Sequence, residues 1–91
     1  MSLNNIVFNW EQTGTNCEMP IKEVKLVGHF ARVYKAYDTK LWTCIVDNIG
    51  ERHVNSEKEA IQHAENVIRY KIENRILKAK IDLLLLADYI D

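Results

Sequence analysis

The chain has 91 residues, enough for one domain with a modest core and little room for an enclosed active site. Hydrophobic residues make up 47% and charged residues 27%, which excludes a disordered chain. Twelve basic and thirteen acidic residues give a net charge of -1, so the overall balance offers no argument for a binder of nucleic acid or anionic membrane.

The first residues lack a basic stretch followed by a long apolar run, so no secretory leader is expected. The longest apolar run, Leu83 to Ala87, is far short of the roughly 20 residues of a membrane span. The expected location is the cytoplasm. There Cys17 and Cys44 read as free thiols, with a single disulfide as the alternative, and their spacing matches no zinc pattern.

Ile6, Phe8 and Trp10 alternate with Val7 and Asn9, the pattern of a short half-buried strand. Thr13-Gly14-Thr15-Asn16 reads as a turn. A second strand is expected to begin near Cys17 to Met19, where Pro20, with no N–H to donate, argues against a centrally paired position. Val24 to Val27 is weakly strand-like and ends at Gly28. His29 to Tyr37 is the clearest strand, rich in Val, Tyr and Phe. Tyr37-Asp38-Thr39-Lys40 turns the chain into Leu41 to Asp47, a strand with apolar groups on both faces and hence a central one. Asp47-Asn48-Ile49-Gly50 is a second turn, with Gly50 free to take positive φ, and Glu51 to Val54 forms a short last strand. Turns this short force antiparallel pairing.

Ser56 and Glu59 have the spacing of a capping box, in which the Ser56 hydroxyl accepts from the Glu59 amide and Glu59 reaches back to the Ser56 amide. Beyond them no Gly or Pro occurs. Ile61, Ala64, Ile68, Ile72, Ile76, Ala79, Leu83, Leu86 and Ile90 recur at a mean spacing of about 3.6, the α-helical period. The expected fold is α+β: one domain over 1–91, an antiparallel sheet of three to four strands within 4–54, then one long C-terminal helix over 56–90 packed on one face. The helix either runs unbroken or breaks near Asn74 or Asp82. Ile61, Ala64, Ile68 and Ile72 are expected to face the sheet, and Trp10, Phe30 or its strand neighbours, and Trp42 to supply the aromatic part of the core.

This layout resembles a group of small uncharacterised proteins encoded by bacteriophages and prophages. The residues that carry the resemblance are Phe8-Asn9-Trp10-Glu11, Gly28-His29-Phe30-Ala31-Arg32-Val33, Leu41-Trp42-Thr43-Cys44-Ile45, and the helix start Ser56-Glu57-Lys58-Glu59-Ala60-Ile61-Gln62-His63-Ala64. It covers roughly residues 6 to 76, and 77–91 depart from it by extending further and being unusually apolar. The resemblance implies a β-sheet-plus-helix fold and a phage or prophage setting. It implies no activity and no catalytic residues.

Chemistry-bearing motifs are scarce. His29, His53 and His63 pair with no other ligand at a metal spacing, and H-E-x-x-H, P-loop and G-x-S-x-G patterns are missing. Glu59 and His63 form an i,i+4 pair that reads as a solvated helix face. Cys44 in a core strand reads as a small buried hydrophobe, and nothing brings Cys17 toward His29. No enzyme activity, cofactor or metal is expected.

Two interaction surfaces are legible instead. A helix of about 35 residues is roughly 50 Å long, and strands of five to seven residues span only about 17–24 Å. The second half of the helix therefore outruns the sheet, and it is the most apolar part. Ile76, Leu77, Ile81, Leu83, Leu84, Leu85, Leu86, Tyr89 and Ile90 are the expected homo-oligomer interface, most simply a dimer. The second surface is cationic. Lys71, Arg75 and Lys78 share a helix face, and Arg32 and Lys35 alternate with Tyr34 and Tyr37 on a strand, as stacking platforms for single strands do. The leading expectation is a non-enzymatic interaction module acting as a homo-oligomer. The alternatives are a nucleic-acid-binding domain and a small phage protein that binds and inhibits a host protein.

Overall fold

Two-residue turns with positive φ at both positions shape the sheet. In the computed structural model, Val27 and Gly28 lie at φ 50° and 82°, and Asp47 and Asn48 at 56° and 58°. Paired positive values fit the right-handed twist of adjoining antiparallel strands, so each turn closes a tight hairpin. The structure describes residues 5–16, 18–37, 39–87 and 89. Along these the chain forms β1 (Glu11–Asn16), β2 (Met19–Leu26), β3 (His29–Lys35), β4 (Trp42–Val46), β5 (Ile49–Val54) and α1 (Glu57–Ala87). The strands make one antiparallel sheet in chain order, β1-β2-β3-β4-β5.

The sheet thus has five strands where three to four were expected, and the difference lies at the N-terminus. Residues 6–10 are not a strand, whereas Thr13 to Asn16, read as a turn, belong to β1. The alternation of Ile6, Phe8 and Trp10 does mark burial, but the neighbour is the helix. All three pack against the core, Trp10 Nε1 donates to Glu65 Oε2 at 2.9 Å, and the Arg69 guanidinium lies 5.0 Å from the Phe8 ring centre. β1 has no apolar alternation because it is a largely exposed edge strand, bulged where the register skips Thr13. Pro20 sits near the start of β2, opposite Thr15 and beyond the β2–β3 ladder, which begins at Lys22. Gly50, at φ 69°, is the residue skipped in the β4–β5 register, so its positive φ serves a bulge inside β5. Asp38, part of the expected β3–β4 turn, and Cys17 lie outside the described residues.

The helix begins as its cap residues dictate. Ser56 Oγ accepts from the Glu59 amide at 3.2 Å, while Glu59 Oε2 accepts from the amide of Asn55, one residue earlier than a strict capping box would have it. From Glu57 to Ala87 the helix is continuous, through Asn74 and Asp82 alike. It packs on β3, β4 and β5. Ala60, Ala64, Ile68 and Ile72, each four positions apart, are its buried line, with Ile61 only partly buried. They meet Val24, Ala31, Val33, Trp42, Cys44 and Val46. Trp42 is a core residue, whereas Trp10 is half-buried and Phe30 points to the sheet face away from the helix, where it pairs with Lys25.

Candidate functional site

After Ile72 the helix leaves the sheet. Every residue from 73 to 87 is exposed, about 22 Å of helix in a molecule 62 Å long and 22 by 18 Å across. The cause is the mismatch of lengths: a 31-residue helix is about 46 Å long, and the strands it crosses have five to seven residues. Of the residues expected to form an interface, Ile76, Leu77, Ile81, Leu83, Leu84, Leu85, Leu86 and Tyr89 are all exposed, from 43% at Ile76 to 86% at Tyr89. Ile90 lies outside the described residues. The structure brings the rest together on one projecting rod, and none of them is used by the chain's own core. No helix among the described residues is long and apolar enough to cross a membrane.

The five cations expected to contact nucleic acid do not share a surface. Residues paired across strands share a sheet face. Arg32, opposite Glu23 and Ile45, is on the face away from the helix, and Lys35, opposite Trp42, is on the helix side. Arg32 Nε donates to Glu23 Oε2 at 2.7 Å; that bond holds the Glu23 carboxyl below its ordinary range. Lys71, partly buried, and Arg75, exposed, reach back to the sheet with bonds to Asp47 and the Val27 carbonyl. Lys78 stands farther out on the exposed part of the helix.

Lys71 and Arg75 belong to a polar cluster that the sequence did not announce. Asp47, in the β4–β5 turn, accepts from Lys71 Nζ at 2.9 Å, from the Phe30 amide at 2.9 Å, and from His29 Nδ1 at 2.9 Å. Partial burial alone would raise the Asp47 carboxyl; the bonds from Lys71, Phe30 and His29 outweigh it and hold the group well below the usual carboxylate range. Arg75 lies on the other side of the ring, with Nη2 3.1 Å from His29 Nε2 and Nη1 donating to the Val27 carbonyl at 3.2 Å. Since guanidinium can only donate, His29 Nε2 accepts and Nδ1 carries the proton to Asp47. The Asp47-His29 contact has the form of an acid–base dyad, but the nitrogen a substrate would need is occupied by Arg75. The cluster fastens the helix to two hairpin turns at the point where it departs from the sheet.

The remaining chemistry is thin. A groove of about 270 Å³ runs between β5 and α1, lined by Ile49, Glu51, Arg52, His63 and Val67, with Cys44 at its base. Burial pushes the Cys44 thiol up to about 11, so it is no nucleophile at neutral pH. Burial and the neighbouring Arg52 charge lower His63. A second groove of about 340 Å³, on the opposite sheet face beside Phe30 and Lys25, is lined by Glu11, Thr13 and Glu23, whose carboxylate is already engaged by Arg32. Among the described residues no group of three or more His, Cys, Asp and Glu is placed to hold a metal ion.

No family model matches this chain, and no curated protein or solved structure does so significantly. The functional reading therefore rests on the physical surface alone.

Proposed function

We propose that the protein is a non-enzymatic interaction module that works as a homo-oligomer, held together by the projecting half of α1. The observation that carries this reading is the run of exposed apolar residues from Ile76 to Leu86 on a helix already fastened to its own sheet by Lys71 and Arg75. Soluble monomers rarely expose a contiguous apolar patch of more than a few hundred Å². A second copy supplies a like surface, and twofold pairing is its commonest form. A phage or prophage setting and a cytoplasmic location enter this proposal only through the layout of the sequence.

The nucleic-acid alternative is weaker on this geometry. Arg32, Lys71 and Arg75 are engaged with Glu23, Asp47 and the Val27 carbonyl, and the cations lie on different faces. Size exclusion with light scattering tests the proposal. The expected mass at micromolar concentration is a multiple of 10.6 kDa. A single-chain mass overturns it, as does a chain ending at Lys80 that stays folded with unchanged mass.

A further inference from the structure

Beyond the sheet the helix carries two apolar stripes. Ile76, Ala79, Leu83 and Leu86 step by 3, 4 and 3 positions and continue the line that packs on the sheet. Leu77, Ile81 and Leu84 form the second stripe, which Tyr70 begins beside the sheet, and Asn74 completes its alternating steps of 4 and 3. At 3.6 residues per turn the midlines of the stripes lie about 150° apart. Glu73 and Lys80 separate them along one flank, and Arg75, Lys78 and Asp82 along the other, where Leu85 then interrupts the polar run. Leucines and isoleucines of both stripes are 43% to 74% exposed.

A single neighbouring helix cannot cover both. Two packed helices touch along one face each, with axes about 8–10 Å apart, and the opposite face of either stays in water. We infer that each projecting segment is seated between the same segments of two other copies of this chain, so that the assembly holds more than two chains. This rests on the self-association proposed above and adds the number of contacts each helix makes. The alternating 3 and 4 spacing of both stripes is that of knobs entering the holes of another helix, which a flat surface does not offer. Both flanks carry mixed charges, Glu73 with Lys80 and Lys78 with Asp82, which suits pairing with a like helix. An anionic bilayer would call for a uniformly cationic flank.

The test measures the mass of the full chain by light scattering, for the wild type and for two paired variants. One pair, Leu77→Glu with Ile81→Glu, disables one stripe; the other, Leu83→Glu with Leu86→Glu, disables the second. All four positions are exposed in the single chain, so its fold should persist, as circular dichroism and Trp fluorescence will report. Should the glutamates unfold it, serine at the same positions decides. The expected wild-type mass exceeds twice 10.6 kDa, and either pair cuts it at least twofold. A wild-type dimer overturns the inference while leaving self-association standing, and a wild-type monomer removes both. A variant pair that keeps the wild-type mass overturns the inference too.

Discussion

Asp47 and Lys71, 24 positions apart, are joined by a 2.9 Å ion pair that fastens the β4–β5 turn to the helix just before it leaves the sheet. The same carboxylate accepts from His29 and the Phe30 amide, so one side chain ties together two hairpins and α1. Its pKa is depressed in the folded state, so its contribution is complete above the unfolded value and is lost as pH falls through the folded one. Asp47→Asn keeps the left-handed turn, which Asn also tolerates, but removes the charge. It should lower stability at neutral pH by about 1–3 kcal/mol. It should also flatten the loss of stability that the wild type shows below about pH 4. Urea denaturation at pH 7 and pH 3 checks both; parallel pH profiles would mean Asp47 is not the acid-sensitive group.

Val27 is a β-branched residue at φ 50°, a conformation its side chain disfavours. It occupies the first of two positive-φ positions before Gly28, where Asn is the preferred residue. Its side chain is 62% exposed, so little packing is lost on replacement. Val27→Asn should raise stability by about 1 kcal/mol. A lower denaturation midpoint would show that the Val27 side chain contributes packing that outweighs the backbone strain.

Trp42 is 8% exposed and stands beside Val54 at the start of β4. Trp42→Ala should cost about 3–5 kcal/mol, a large share of the stability of a domain this size. Thermal unfolding followed by circular dichroism measures it, and a loss under about 1 kcal/mol would place the ring outside the core.

Cys44 is 2% exposed with its thiol raised to about 11. At pH 8 a thiol reagent should leave it unmodified in the native protein and modify it in denaturant, as peptide mass mapping of Cys44 will show. Native labelling at a rate near that of a free thiol would mean that β4 opens to solvent.

The parts of this fold that the sequence disclosed are those that obey one period. The helix followed from Ile61 to Leu86 at 3.6-residue spacing, and β3 and β4 followed from dense Val, Tyr and Trp content. β1 was hidden because Gln12, Thr13 and Thr15 are exposed and polar, so no apolar alternation records the strand. Ile6, Phe8 and Trp10 misled in the opposite sense, since alternate burial against a helix produces the same pattern as burial in a sheet. The exposed end of the helix could be anticipated from lengths alone. The Asp47 cluster could not: His29, Asp47, Lys71 and Arg75 come from three separate elements, and only their three-dimensional juxtaposition gives the Lys71 and Arg75 cations partners within the chain.

Every strand hydrogen-bonds the strand next to it in the chain, and the helix follows all five. Such a meander closes only short loops, so its entropic barrier is low and each hairpin can form within about 1–10 μs once its turn is made. Ile76 to Leu86 are synthesised after all five strands. The exposed apolar stretch is thus made last, after every strand of the sheet that anchors the helix has been synthesised.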